Sequence, residues 1–181
     1  MEYAWTPHNL GFLVVDRLAE QAGARVERPE ARSLIGRGQL AGREIMLAKP
    51  MTFMNASGMA VRELVERLEI DPAGMIVVSD DVALPWGMVR IRKHGSAGGH
   101  NGLASIIGAL GTDEFIRVRL GIQPDHPVRD LSAYVLRPMR RADLEAAAEL
   151  VELAAGAVDV ILREGTGRAM SQFNRRAAAA E

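Results

Sequence analysis

Several stretches of the chain carry apolar residues at every third or fourth position, the spacing that places side chains on one face of a helix. The pattern predicts helices over residues 9–22, 57–69 and 141–164. Gly23 follows the first of these, at the position where a residue of left-handed conformation commonly ends a helix. The third predicted helix is long and amphipathic, and Gly156 is a candidate break within it.

Shorter stretches have the patterns of strands. Residues 34–48 predict two short strands that turn near Ala41-Gly42. The apolar run over residues 75–79 leads into two aspartates and is typical of a buried strand. Residues 88–92 and 116–122 alternate between apolar and polar side chains, as a half-buried strand does.

Strands that alternate with helices along a chain predict an α/β fold. We expect one domain over residues 1–181, built as a mixed, twisted sheet flanked by helices, because a chain of 181 residues buries a sizeable core within a single domain. The chain contains no cysteine, which excludes disulfides, a thiolate nucleophile and thiolate metal ligands.

Composition narrows the functional classes further. No apolar run has the length required to cross a membrane, and the first residues lack the basic-then-apolar order of a secretory signal. We therefore expect a cytoplasmic protein without a membrane partner. The net charge of -1 argues against a broad polyanion-binding surface, although it is compatible with a local basic patch.

A glycine-rich run over residues 94–103 leads into a helical pattern. Its glycines free the backbone, and its polar residues His100 and Asn101 lie at the start of the predicted helix. Unpaired backbone N–H groups and the helix dipole favour anions at such a terminus. The alternative is that the glycines serve only close packing, since glycine-rich turns before helices are common.

Two residues have the character of a base and its orienting group. His8 lies just before the first predicted helix, and histidine is the side chain that gains and loses a proton near neutral pH. Asp80 ends the predicted buried strand, at the edge where ligands gather in open α/β sheets. A carboxylate there can bind a histidine and fix its tautomer. The alternative for His8 is a surface side chain with a structural hydrogen bond.

The turn before the second predicted helix holds candidate substrate contacts. The amide of Asn55 can donate to a carbonyl or to a developing oxyanion. Asparagine at this place is more often a helix cap, but Ser57 can take that role and leave Asn55 available. Met54 offers an apolar wall to a substrate, although core packing is its usual task.

Arginines occupy alternate positions in the last two predicted strands. Period-two geometry places Arg90 with Arg92, and Arg117 with Arg119. These pairs can form a phosphate clamp through bidentate contacts, or they can lie on solvated sheet faces. No metal site is predicted, because the two adjacent aspartates lack a further carboxylate cluster and the four histidines lack ligand spacing.

Six segments of the chain occur in the order that one known family has, and together they span nearly its whole length. They include Thr6-Pro7-His8-Asn9-Leu10-Gly11 and the glycine-rich run that contains His100-Asn101-Gly102. The matching segments are residues 3–12, 49–58, 79–87, 95–103, 115–122 and 169–174. On these segments the chain resembles bacterial peptidyl-tRNA hydrolase.

The resemblance implies an esterase that cleaves the bond between a peptide and the 3′ ribose of tRNA, without a metal or an organic cofactor. His8 matches the histidine that activates water, Asp80 the carboxylate that orients it, and Asn55 the asparagine that steadies the ester. Asn101 matches a substrate-positioning asparagine. The remaining contacts that the resemblance implies are Tyr3, Phe53, Met54 and His100 on the substrate, and Arg90 and Arg119 on the tRNA 5′-phosphate.

The chain also departs from the family pattern. Family members usually begin with a strand and Gly-Leu-Gly-Asn-Pro-Gly before the segment that matches Tyr3, so we expect an N-terminally short domain without its usual first strand. Pro7 replaces the usual arginine before the histidine, and Ala104 replaces a frequent basic residue. The alternative to a monomeric enzyme that recycles tRNA during translation is therefore a catalytically impaired RNA-binding relative of the same fold.

Overall fold

The computed structural model describes residues 5–178, with side chains up to residue 174. The chain divides into two compact units. The first unit consists of the described parts of Met1–Arg17, Val78–Ile91 and Val118–Glu181, and the second unit of Leu18–Val77 and Arg92–Arg117. Among the described residues, no helix combines the length and the apolar content that crossing a lipid bilayer requires.

Helices and strands alternate along the chain, which confirms the predicted α/β class. The strands are β1 (Arg28–Glu30), β2 (Ser33–Leu40), β3 (Arg43–Pro50), β4 (Ile76–Asp81), β5 (Val89–Arg92) and β6 (Ile116–Gly121). The α-helices are α1 (Leu10–Ala22), α2 (Ser57–Arg67), α3 (Asn101–Leu110), α4 (Leu131–Leu136), α5 (Arg141–Glu164) and α6 (Thr166–Ala178). Within residues 5–178 the strands form two three-stranded sheets, in the orders β1-β2-β3 and β4-β6-β5, instead of the one mixed sheet that the sequence predicts.

The sheet of the second unit is an antiparallel meander. Strands β2 and β3 pair from Ser33 opposite Pro50 to Leu40 opposite Arg43, and Ala41-Gly42 close the hairpin with φ values of 54° and 72°. Two successive residues with positive φ suit the right-handed twist of the flanking strands. The turn that the sequence predicts near Ala41-Gly42 is therefore confirmed.

Helices α2 and α3 cover the core of the second unit at close range. A Cβ atom added to Gly58 would lie 2.0 Å from the carbonyl oxygen of Ser105, so only glycine fits at this contact. The Gly58 N–H donates to the Ser105 hydroxyl at 2.9 Å. The apolar residues beneath the two helices are Leu103, Ile106 and Phe115, with Val61, Met75, Val77 and Ile107 packed against them.

The first unit is built on the second sheet and on α5. Val118 and Leu120 of β6, the middle strand, are fully buried. Tyr134 of α4 donates its hydroxyl hydrogen to the carbonyl of Ile122 at 2.9 Å. Helix α5 spans the residues that the sequence predicts and continues without interruption across Gly156.

A side chain from α6 covers the edge strand of this sheet. Asn174 accepts a hydrogen bond from the backbone N–H of Ile91 at 2.9 Å and donates to the carbonyl of the same residue at 3.1 Å. The amide thereby pairs with β5 as a further strand would, and it satisfies backbone groups that an edge strand otherwise exposes.

We expect Gly58→Ala to lower the free energy of unfolding by about 1–3 kcal/mol, because the added methyl group meets a backbone carbonyl that cannot rotate away. Gly108→Ala is the matched control on α3, since a Cβ atom there meets nothing within 4 Å. It should raise stability by about 0.5–1 kcal/mol, the usual gain from alanine over glycine within a helix. Urea denaturation of the two variants measures both changes, and equal stabilities would contradict the packing argument.

Candidate active site

The start of α1 lies directly against β4 and brings His8 to the end of that strand. A short 3-10 helix, Pro7–Asn9, leads into α1, and the proline at its first position is buried. A Cβ atom added to Gly11 would lie 2.6 Å from the carbonyl oxygen of Val78, so glycine permits this approach. The segment that carries His8 is thus fixed by a buried proline and by a glycine contact.

His8 and Asp80 form the pair that the sequence predicts. The Nδ1 atom of His8 lies 2.8 Å from Oδ1 of Asp80, whose side chain is 4% exposed, whereas that of His8 is 17% exposed. An ionised carboxylate only accepts hydrogen bonds, so Nδ1 carries the proton and the lone pair of the neutral ring lies on Nε2. The arrangement is that of a general base held in one tautomer by a buried carboxylate.

The next residue along β4 binds a cation instead. Oδ2 of Asp81 lies 3.0 Å from Nε of Arg119, and Oδ1 accepts a hydrogen bond from the backbone N–H of Ala83 at 3.0 Å. The side chain of Arg119 is 20% exposed. Arg90, the other predicted phosphate ligand, lies half-buried on β5, beside β6 in the sheet.

The second unit holds the predicted amide of Asn55. A 3-10 helix, Met54–Ala56, carries Asn55 in an exposed position, and within the described part of the chain its side chain has no hydrogen-bond partner. Ser57 does not cap α2, which corrects the expectation from the sequence. It is the first residue of that helix, and its hydroxyl donates to the carbonyl of Met54 at 2.9 Å. Phe53, the residue just before the 3-10 helix, has 88% of its surface exposed.

The glycine-rich run ends at the start of α3, as predicted. Asn101 is the first residue of the helix and is exposed, and His100 caps it by accepting the N–H of Leu103 on Nδ1 at 3.1 Å. Met54 and His100 both lie against Gly102, since an atom added there would contact the sulfur of one and the ring of the other. The second unit therefore brings together two of the predicted substrate contacts, and Tyr3 lies outside the described residues.

Comparison with known proteins places this geometry in a family. A sequence profile of the peptidyl-tRNA hydrolase family matches residues 1–181. The chain is 52% identical over 177 residues to the peptidyl-tRNA hydrolase of Koribacter versatilis, an alignment that covers 97% of this chain and 88% of the relative. The chain belongs to the peptidyl-tRNA hydrolase family. The resemblance drawn from the six sequence segments is therefore confirmed.

Two further comparisons agree with this assignment to the peptidyl-tRNA hydrolase family. The peptidyl-tRNA hydrolase of Solibacter usitatus is 50% identical over 176 residues, which cover 97% of this chain and 90% of the relative. A crystal structure of peptidyl-tRNA hydrolase from Acinetobacter baumannii is similar with a TM-score of 0.88 and 30% identity, over 96% of this chain and 89% of that one. The fold is thus that of solved peptidyl-tRNA hydrolases.

Arg117, for which alternation left a phosphate clamp and a solvated sheet face as alternatives, has neither role. Arg117 is 1% exposed, and its guanidinium donates to the carbonyls of Gly95, Ser96 and Asp113 and lies over the ring of Phe115. A phosphate has no access to it. The alternating pattern did not identify a solvent-facing side of β6, because the strand is covered on both faces. Side chains at both odd and even positions are therefore buried.

Sequence reasoning missed what Arg117 does for the glycine-rich run. Its donors hold the carbonyls of Gly95 and Ser96, and the carboxylate of Asp113 accepts the N–H of Gly95 at 3.1 Å. The run that delivers His100 and Asn101 is therefore tied to the loop before β6. No local pattern distinguishes such a buried arginine from a solvated one, because its partners are backbone carbonyls.

We expect Arg117→Gln to lower the free energy of unfolding by about 2–4 kcal/mol, because buried carbonyls lose their donors. Arg92→Gln makes the same chemical change at a half-buried arginine and should alter stability by less than about 0.5 kcal/mol. Thermal and denaturant unfolding of both variants measure the difference. A loss in Arg92→Gln as large as that in Arg117→Gln would contradict the structural role.

Proposed function

We propose that the chain hydrolyses the ester between the peptide and the 3′ ribose of peptidyl-tRNA, with water activated by His8. The observation that carries this proposal is the 2.8 Å contact between Nδ1 of His8 and the buried carboxylate of Asp80. We further propose that the enzyme acts as a monomer in the cytoplasm and thereby recycles tRNA during translation.

In the proposed reaction, Nε2 of His8 takes a proton from water as the water oxygen attacks the ester carbonyl carbon. The carboxylate of Asp80 stabilises the imidazolium that forms. When the tetrahedral intermediate collapses, the bond to the 3′ oxygen breaks and the imidazolium returns the proton to that oxygen. An ester has a better leaving group than an amide, so positioned water suffices without a covalent nucleophile.

We assign the substrate contacts to the two exposed amides and to the aromatic, histidine and methionine side chains that the family resemblance implies. Asn55, whose amide has no partner in the described part of the chain, donates to the ester oxygen as negative charge develops on it. Asn101 positions the substrate from the start of α3. The apolar and ring contacts to the peptide come from Tyr3, Phe53, Met54 and His100.

We assign tRNA binding to Arg90 and Arg119, which bind the 5′-phosphate. Guanidinium groups suit phosphate because two parallel N–H donors meet two oxygens. A protein that only binds RNA has no use for a histidine held in one tautomer by a buried carboxylate, so the His8–Asp80 pair favours the enzyme over the binding relative.

His8→Ala should lower kcat for an N-acetylated aminoacyl-tRNA by about 10²–10⁴-fold, because the proton transfer from water loses its base. Asp80→Asn keeps the size of the side chain and should lower kcat within the same range, because the amide no longer selects the reactive tautomer. Binding of uncharged tRNA should persist in both variants. Steady-state hydrolysis and a binding titration measure the two effects.

His126→Ala is the matched control for these two variants. The Nδ1 atom of His126 also lies within hydrogen-bond distance of a carboxylate, that of Asp125, but both side chains are exposed. Its removal should leave kcat unchanged within about twofold. If His8→Ala retained the rate of His126→Ala, the proposed base would be wrong.

Asn55→Asp should lower kcat by about 10²–10³-fold, because the side chain keeps its size and loses the N–H donors that face a developing oxyanion. Since Asn55 is exposed, thermal stability should stay within about 1 °C of the parent chain. A rate within twofold of the parent would show that Asn55 does not contact the ester.

A further inference from the structure

We propose that Asp81 is a positioning residue for Arg119, and that its carboxylate holds the guanidinium in the orientation that binds the 5′-phosphate of tRNA. This inference rests on the proposed function, because it assigns Arg119 to the substrate. It adds a residue that neither the family resemblance nor the sequence pattern singles out as a substrate contact. The structural basis is that the two carboxylates at the end of β4 have different partners.

Asp80 and Asp81 are consecutive residues of β4, and both are buried. Successive side chains of a strand point to opposite faces, so the two carboxylates reach different partners. Asp80 lies against His8, whereas Asp81 lies against Arg119 on the neighbouring strand β6. One strand end therefore sets the position of the proposed base and of a cation together.

The carboxylate of Asp81 is fixed on two sides. Oδ1 accepts the backbone N–H of Ala83 at 3.0 Å, and Oδ2 lies 3.0 Å from Nε of Arg119. The backbone carbonyl of Asp81 also accepts the N–H of Ile122, just beyond the end of β6. Because the carboxylate cannot rotate without losing the Ala83 contact, it defines where Nε of the arginine lies.

Arg119 retains donors for a second acceptor. The Nε of Arg119 is ion-paired with Asp81 at 3.0 Å without making a hydrogen bond, the side chain is 20% exposed, and within the described residues it makes no other ion pair. A guanidinium has five N–H donors in one plane, so a carboxylate ion-paired at the Nε end leaves the terminal nitrogens for another oxyanion. A phosphate is the oxyanion that the proposed substrate offers.

Two effects of Asp81 on phosphate binding oppose each other, and their sign is measurable. Its negative charge lowers the local positive potential, which weakens the binding of an anion. Its contact with Nε removes rotamer freedom from Arg119 before the substrate arrives, which strengthens binding. If the orienting effect dominates, removal of the charge weakens tRNA binding instead of strengthening it.

The test is Asp81→Asn, which keeps an oxygen for the Ala83 N–H and removes the charge that holds Nε. We expect KM for a 5′-phosphorylated, N-acetylated aminoacyl-tRNA to rise about three- to tenfold, with kcat within about twofold of the parent. With a 5′-hydroxyl tRNA the two chains should have equal KM values. In an Arg119→Gln background, Asp81→Asn should have no further effect on KM. An unchanged pH profile of kcat would establish that the His8–Asp80 pair is intact.

Asp159→Asn is the matched control, because it removes the same charge from an exposed ion pair with Arg163 on α5. Its KM should equal that of the parent chain. Arg119→Lys is a second variant that keeps the cation and gives up the planar fork. It should raise KM for the phosphorylated substrate alone, and it serves the same test if Asp81→Asn does not fold.

A lower or unchanged KM in folded Asp81→Asn overturns the proposal, and so does an equal rise with phosphorylated and 5′-hydroxyl tRNA. Titration of the parent chain and of Asp81→Asn with uncharged, 5′-phosphorylated tRNA measures the same contact without hydrolysis. If the parent chain does not cleave the ester, the proposed function fails. The positioning role of Asp81 is then tested by the difference in tRNA affinity between the parent chain and Asp81→Asn.

Discussion

The burial of two consecutive carboxylates at the end of β4 is the constraint on which the chemistry of the first unit depends. A buried carboxylate is costly unless it is paired, so each of these two acids requires a partner at a defined place. Asp80 meets the imidazole of His8 and Asp81 meets the guanidinium of Arg119. The strand alternation that separates the two acids also separates the proposed base from the proposed phosphate ligand.

The two arginines of β6 differ in the acceptors that their guanidinium groups contact. Arg117 directs its guanidinium at three backbone carbonyls and an aromatic ring, and it is fully buried. Arg119 has one carboxylate partner and is partly exposed. The first arrangement ties down the glycine-rich run that leads to α3, and the second leaves donors for the phosphate that we propose Arg119 binds. Two arginines separated by one residue thus have unlike roles, although the sequence presents them as a pair.

Most elements of the fold could be predicted because their patterns are local. Helix α5 matches its prediction from Arg141 to Glu164, and the hairpin turns at Ala41-Gly42 as expected. The pairing of His8 with Asp80 was also foreseen, because a histidine before a helix and an acid at a strand end are chemically complementary. The expectations that differ from the structure concern side chains whose partner is backbone: Ser57 donates to a carbonyl instead of capping α2, and Arg117 binds carbonyls instead of phosphate or solvent.

The sequence by itself determined the class of fold, the family and the identity of the candidate base and acid, because these depend on residue type and on local spacing. The described part of the chain has two three-stranded sheets in place of the single mixed sheet that the sequence predicts, because strand pairing depends on long-range contacts. Only the tertiary structure decided which polar side chains are buried and which acceptors they meet. The physical reason is that a side-chain donor can pair only with a carbonyl or a carboxylate that folding places next to it, and a short sequence pattern does not contain that position.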